Sequence, residues 1–447
     1  MGVIGLIGAT RPVLSWDEIA TADVAHRPVT QIGHLVQHVD GVFAPYYLFM
    51  HLWTGLAGDS VLALRLPSIL AMAVAVAAAG ELGRQLFGAA TGVVTGLLLC
   101  LIPNLSRYAA EARPYALACM FVTLSLVLLG RPGIKAQAAY GALVLGVGLS
   151  HLVALTTLVA HPVFLGRRAR LGWAVSVAAP LVALLPLFWW GLHQRQTQLH
   201  WIPPLTAGAV YSFPERLTGS APTAWLLIGL VLTGALIRRN REVVAVLAAA
   251  ALPLLVVGAV SLAGPSFWVN RYLLFVLMPS AVVAAAGLTG AVDTLRLRPA
   301  VAMLAGPLAV FAAAGMPGQF AVRGPTVKNG SDYRTVAGVI RAGERPGDVV
   351  VYSGGRTMRA GVGYYLRHDA SAPRDALMRS PGLLTAVEYP DPAVRLAGAD
   401  RIWLVVYGRR ADPSTSRRDL APLLRTRFQR TGLWNAKGAT LALYAPR

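Results

Sequence analysis

Charge is scarce in this 447-residue chain: only 13% of its residues are Asp, Glu, Lys or Arg. A soluble domain usually carries about 25%. Acids are scarcer still, 20 against 40 Lys plus Arg, and the basic residues are nearly all Arg. Cysteine is almost absent. Cys100 and Cys119 both lie in apolar runs without metal-ligand spacing, which excludes a disulfide framework and a cysteine zinc site. No internal repeat or low-complexity tract is visible, and no cleavable signal peptide. The apolar stretch 2–9 is too short for a signal, and too short to span a bilayer at about 1.5 Å per residue. Either residues 12–14 complete a first helix, or the natural start lies upstream of Met1.

Apolar residues, in contrast, are abundant: 55% of the chain, with a mean hydropathy of +0.57. They form repeated runs of roughly 15–22 residues, which predict a polytopic α-helical membrane protein. A formal charge of +20 would also suit a nucleic-acid partner. The arginines, however, fall mainly in short loops and in the last third of the chain. Short basic loops orient membrane helices, and a basic C-terminal region suits anionic headgroups or a phosphate-bearing substrate. Nucleic acid is therefore set aside. Abundant Ala, Gly, Val and Arg fit a GC-rich bacterial genome, so the expected location is a bacterial plasma membrane.

Residues 12–64 read as the first extramembrane loop. Ser15 followed by Glu18 is a capping-box pattern that starts a short helix at Trp16. A second short helix is expected over 31–39. The run from Pro45 to Trp53 is aromatic and amphipathic, and reads as a helix lying in the interface. Crossings are expected over 66–82, 89–103, 114–129, 171–192, 222–237, 243–262, 272–290 and 299–316. Two more short spans divide 136–165 at Ser150-His151. With the first helix these make about eleven. If the basic turns at Arg84, Arg131, Arg167, Arg238 and Arg296 are cytoplasmic, the loops holding Asp17, Glu111, His151, Trp201 and Arg271 all lie on the other face. No loop breaks the alternation. The expected division is a membrane module over 1–318 and an extracytoplasmic α/β domain over 319–447. In that domain a helix is expected over 331–343 and strands over 348–352, 402–407 and 439–444.

The polar constellations collect at one membrane face. Asp17 and Glu18 admit a structural reading: Glu18 closes the capping box and Asp17 sits where the helix dipole favours an acid. A cap needs only one of them, and the functional reading is a general base facing an extracytoplasmic cleft. Asp40 reads first as a turn residue before Gly41. His34, His38 and His51 are loosely spaced, which suits solvated or interfacial histidines better than a metal site. Glu111 and Arg113 stand just before Pro114 and Tyr115. They make either an interfacial ion pair or a phosphate grip, for which the planar guanidinium is suited. Glu111 would then hold Arg113, a sugar hydroxyl or a cation. Asn270-Arg271-Tyr272 places a second Arg at a helix mouth. His151 is either a cap or a functional residue at a helix break. One acidic pair, two arginines, a histidine and many aromatics suit transfer of a sugar from a lipid phosphate. A carboxylate would deprotonate the acceptor, the anomeric carbon would pass through an oxocarbenium-like state, and positive charge would take up the departing phosphate.

Taken in order, Ser15-Trp16-Asp17-Glu18, Pro45-Tyr46-Tyr47-Leu48 with His51-Leu52-Trp53, Arg65-Leu66-Pro67-Ser68, Glu111-Ala112-Arg113-Pro114-Tyr115 and Asn270-Arg271-Tyr272-Leu273 form a set. It resembles the GT-C superfamily of integral-membrane glycosyltransferases, in the branch similar to protein O-mannosyltransferases and the lipid A aminoarabinose transferase. The resemblance covers roughly residues 10–320. It implies a polyprenyl-phosphate sugar donor and an inverting, single-displacement transfer outside the cytoplasm. By position it implies Asp17 as the base and Glu18 as its support or a metal ligand. It also implies Glu111 as the acid of the second loop, and Arg113 and Arg271 facing the donor phosphate. Asp40, His151 and Tyr115 join the substrate-binding set. The truncated first crossing departs from the family pattern and bears on the placing of Asp17.

Mannose is the first expectation for the sugar, with arabinofuranose, galactose and amino sugars open. The acceptor would be a lipid, a glycan, a protein or a natural product. A divalent cation (Mg, Mn or Ca) held by Glu18 and Glu111 is permitted but not required. The competing class is a transporter or flippase of a lipid-linked substrate, for which paired repeats and broken mid-membrane helices would speak. A third is a non-catalytic partner in envelope assembly.

Overall fold

The protein is described here from a computed structural model, over residues 1–294, 300–353, 357–383 and 385–447. The expected basic turn at Arg296 lies outside the described residues. The chain divides into two compact units. One comprises Met1–Ala9 and Val29–Arg323, the other Thr10–Pro28 and Gly324–Arg447. The first loop is thus shared out: its opening stretch clusters with the C-terminal residues and its remainder with the membrane helices.

The first unit is helical. Among the described residues four helices are long and apolar enough to cross a membrane: Val61–Phe87, Arg241–Ala263, Asn270–Thr294 and Met303–Ala321. Two bent pairs add up to two more. Ala89–Leu101 turns by 75° into Pro103–Ala109, and Ala169–Ala183 by 54° into Leu185–His193. Pro103 and Pro186 fall at these bends, where a missing N–H and a ring clash stop a straight helix. Four shorter apolar helices follow the expected pattern, including Ile134–Ser150 and Leu152–Phe164, which part at His151. The stretch 104–113 was expected as a loop; its first half is helical instead. Val61–Phe87 starts earlier than expected. The Ser60 hydroxyl caps it by accepting from the Ala63 N–H at 3.1 Å, so Pro67 lies inside the helix rather than opening it.

The short N-terminal helix Gly2–Leu6 is tied down by arginines. Arg323 donates to the carbonyls of Ile4 and Ile7 at 2.9 and 3.0 Å, and the fully buried Arg65 donates to that of Ala9 at 2.5 Å. Carbonyls that a helix end leaves unsatisfied are thereby paired. Ala221–Ile237 and Leu277–Thr294 meet backbone to backbone, because a Cβ on Gly287 would lie 2.6 Å from the Gly234 Cα. Small residues permit such close approach between membrane helices.

The second unit is a mixed α/β domain. Among the described residues seven strands are present: β1 Asp348–Ser353, β2 Arg374–Asp375, β3 Met378–Pro381, β4 Ala386–Glu388, β5 Arg401–Tyr407, β6 Phe428–Ala436 and β7 Ala439–Pro446. Five form one sheet in the order β2-β1-β5-β7-β6, with β1 parallel to β2 and β5 and the rest antiparallel. β3 and β4 pair separately. β1, β5 and β7 lie where strands were expected, since they read as continuous apolar runs buried on both faces. β6 was not expected: it is a sheet edge with a mostly exposed, polar sequence. Buried Asp348 organises the sheet's start, accepting from Arg401 at 2.8 and 2.6 Å and from the Trp403 indole at 2.8 Å.

Candidate active site

In the helical unit the structure gathers most of the singled-out residues into one cluster. Arg113 ends the turn between Pro103–Ala109 and Tyr115–Leu128, and its backbone is fixed twice. The Arg113 N–H donates to the Glu111 carbonyl at 2.7 Å, and Ser68 Oγ donates to the Arg113 carbonyl at 3.2 Å. The side chain is buried, with its guanidinium carbon 4.1 Å from the Phe43 ring centroid. Asp40 adopts the left-handed conformation, at φ 57°, the one such residue other than glycine among those described. Non-glycine residues are held there at a cost, often at functional sites. Its carboxylate accepts from the Tyr47 hydroxyl at 2.9 Å and from Gln198 Nε2 at 3.4 Å, and Gln194 accepts from the Gly41 N–H at 2.8 Å. Tyr47 is fully buried between Asp40 and Arg113. Burial first, then the Asp40 charge, pushes its hydroxyl well above the ordinary tyrosine value, so it stays a donor.

Arg271 forms the other half. Its Nε donates to the Tyr115 hydroxyl at 3.0 Å, and its guanidinium lies 4.9 Å from the Trp201 ring and 5.7 Å from Tyr272. His151 sits between Tyr272 and Tyr115, at centroid distances of 4.6 and 5.8 Å. Its Nδ1 is buried without a hydrogen-bond partner. Tyr115, two residues after Arg113, meets both Arg271 and this ring. Asn270 binds back to Tyr108 and the Arg216 carbonyl, at 3.3 and 2.7 Å. Glu111 is buried, with Arg107 Nε at 4.0 Å. Two guanidiniums with a histidine and a ring of aromatics between them suit an anion that carries a sugar.

Asp17 and Glu18 belong to the other unit. The capping box forms as expected: Ser15 Oγ accepts from the Glu18 N–H at 3.2 Å, and Glu18 Oε2 accepts from the Ser15 N–H at 2.9 Å. Lys328 Nζ also reaches Glu18 Oε2, at 2.9 Å, and the two side chains are 3% and 0% exposed. Glu18 is therefore held in the interior, while its neighbour Asp17 is half-buried in the first turn.

Sequence reasoning did not single out Tyr47, Phe43, Gln194, Gln198, Tyr272 or Lys328 as site residues. Lysine at 328 was a usable signal, because a chain whose bases are nearly all Arg keeps a lysine where one compact ammonium fits. Among the described residues no three His, Cys, Asp or Glu converge to hold a metal ion. The His34 and His38 rings lie 4.7 Å apart, tilted by 45°.

Residues 44–166 match the model of the dolichyl-phosphate-mannose-protein mannosyltransferase family. Among solved structures the chain is similar to ArnT from Cupriavidus metallidurans in the apo state, with 15% identity and a TM-score of 0.64 over 99% of this chain and 96% of that one. The form of that protein bound to undecaprenyl phosphate aligns with 16% identity and a TM-score of 0.62, over the same shares of both chains. The arabinofuranosyltransferase AftD from Mycobacteria aligns with 16% identity and a TM-score of 0.53, over 99% of this chain but 41% of its own length. At these identities the structural likeness establishes the fold. No curated protein matches by sequence.

Proposed function

We propose that this chain is a multi-pass polyprenyl-phosphate-sugar-dependent glycosyltransferase, akin to the dolichyl-phosphate-mannose-protein mannosyltransferases whose model matches residues 44–166, and that it transfers mannose to an acceptor hydroxyl on the extracytoplasmic face, with inversion. The observation that carries this is Arg271 and His151 packed around Tyr115, two residues after the buried Arg113, with an aromatic rim. Arg113 and Arg271 take the donor phosphate. The acceptor oxygen attacks the anomeric carbon, and the bond from that carbon to the phosphate oxygen breaks. The electron pair leaves on the phosphate, where guanidinium charge stabilises it. Asp17 takes the acceptor proton. Glu18 supports the turn that carries Asp17, and Asp40, through Tyr47, supports Arg113. Tyr115 and His151 line the sugar.

The membrane arrangement follows the same reading. The four long helices, the two bent pairs and the four shorter apolar helices make ten of the eleven expected crossings; the helix Gly2–Leu6, five residues long, is too short to be the eleventh. The shorter ones, at about 1.5 Å per residue, suit a thinned or tilted passage. The α/β domain faces outward.

The test is turnover of a panel of polyprenyl-phosphate sugars by the purified protein in nanodiscs, with a crude envelope extract as acceptor source. Polyprenyl phosphate released with mannose, and lost in Asp17→Asn while donor binding persists, is the expected result. Turnover that survives Asp17→Asn overturns the base assignment. Donor binding without release of any sugar would favour the transporter class.

A further inference from the structure

Glu18 turns into the α/β unit, but its neighbour Trp16 turns out. Trp16 is 43% exposed, and so is Tyr407, at 45%, where β5 ends. Their ring centroids are 6.4 Å apart with the planes tilted by 52°. An exposed indole is ordinary when it is loose. This one is immobilised. Its backbone N–H donates to the Asn329 carbonyl at 3.0 Å. Gly330, at φ 138°, lies against the ring so closely that a Cβ there would sit 3.2 Å from Trp16 Cδ1. The Glu18–Lys328 pair fixes the turn from within. A rigid aromatic face kept in solvent is organised to receive a ligand.

The surroundings decide what kind. Both edges of β5 are paired, to β1 and to β7, so a peptide cannot add there as a strand. Asn329 and Gly330, which touch Trp16, and Gly408, which follows Tyr407, offer no apolar side chain to continue a groove for an acyl tail. A sugar ring meets both conditions. Its C–H face lies on an aromatic ring while its hydroxyls point to polar neighbours, of which Asp17 is the next residue along the chain.

We propose that Trp16 and Tyr407 form the platform that binds the acceptor, and that the acceptor presents a sugar ring there. The acceptor is then a glycan or a glycolipid, not a protein side chain. This rests on Asp17 being the base, but binding can be read without turnover.

The experiment is saturation-transfer NMR on the full-length protein in nanodiscs. The probes are methyl α-mannopyranoside, methyl α-arabinofuranoside and a serine-containing peptide. Expected are transfer to the ring C–H protons of at least one glycoside, and a Kd at least tenfold weaker in both Trp16→Ala and Tyr407→Ala. The peptide should show no such dependence, and Trp434→Ala, elsewhere in the domain, should bind like wild type. Should Trp16→Ala fail to fold, Tyr407→Ala and Trp16→Phe carry the comparison, the latter binding within about threefold of wild type. Unchanged glycoside affinity in the alanine variants overturns the proposal. So does the absence of glycoside transfer to wild type, or peptide binding that alone depends on the two rings. Asp17→Asn separates the two readings: turnover there refutes the base, whereas the platform stands or falls on binding.

Discussion

Lys328→Met should destabilise the α/β unit, by an amount that pH controls. In the wild type Glu18 Oε2 accepts from the Ser15 N–H and from Lys328 Nζ, both at 2.9 Å, with both side chains essentially buried. Removing the ammonium leaves a buried carboxylate without that counter-charge, and breaking such a pair costs about 3–5 kcal/mol. The protein can escape that cost by protonating Glu18. From an ordinary carboxyl value near 4.3, protonation at pH 7 costs about 3.7 kcal/mol, and at pH 5.5 about 1.6 kcal/mol. Protonation therefore caps the penalty near 4 kcal/mol at neutral pH, and the cap falls as pH falls. The sign follows from linkage: a carboxyl whose folded value is raised costs nothing below its unfolded value, and costs progressively more as pH rises above it. Adding Glu18→Gln removes the stranded charge while keeping an acceptor for the Ser15 N–H. The double variant should thus be more stable than Lys328→Met alone at pH 7. The assay is the apparent melting temperature of the full chain in detergent at pH 5.5 and 7, read by tryptophan fluorescence. A Lys328→Met protein that melts like wild type at pH 7 would refute the reasoning. So would a penalty that does not shrink at pH 5.5, or a double variant worse than the single.

Asp17→Asn should lower turnover by about 10²–10⁴-fold, the usual contribution of a general base, with donor binding by calorimetry within about twofold of wild type. Arg271→Lys keeps the charge but loses the planar cation over Trp201 and the Nε bond to Tyr115; polyprenyl-phosphate affinity should fall about tenfold or more. Tyr47→Phe removes the hydroxyl that donates to Asp40. It should cost about 1–3 kcal/mol of stability in thermal unfolding and weaken donor binding through Arg113, whereas Tyr46→Phe should not weaken it.

The helical architecture was legible because the membrane makes the sequence speak in one period. Ser150-His151 interrupts a long apolar run, and it marks a break that the structure shows. The bends were less legible. Pro103 and Pro186 break their helices, while Pro67, Pro253, Pro307 and Pro317 sit inside theirs. Proline identity alone cannot distinguish these, because the outcome depends on whether neighbouring helices hold the axis straight. In the α/β unit the buried strands were readable and the edge strand β6 was not, since an edge shows water the residues that a loop would.

The candidate site was legible as residues but not as partnerships. Tyr115, His151 and Arg271 were separately visible, yet nothing in their spacing says that His151 lies between Tyr115 and Tyr272. That follows from three helix ends meeting, and no local pattern records it. The Asp17-Glu18 pair shows the same limit more sharply. As a sequence, two adjacent acids look interchangeable, and either would serve as cap or as base. Helical geometry separates them by about 100°, which is enough to put one in the interior on Lys328 and leave the other half-buried. The same turn puts Trp16 in solvent. Exchanging the two acids' roles by mutation is therefore not conservative. Asp17→Glu with Glu18→Asp keeps the charge and the composition but shortens the reach to Ser15 N and Lys328 by one methylene. That swap should lose the Glu18 contacts and lower the melting temperature more than Asp17→Asn does, although Asp17→Asn removes a charge and the swap removes none. Equal melting temperatures would mean that the two acids are not divided in this way.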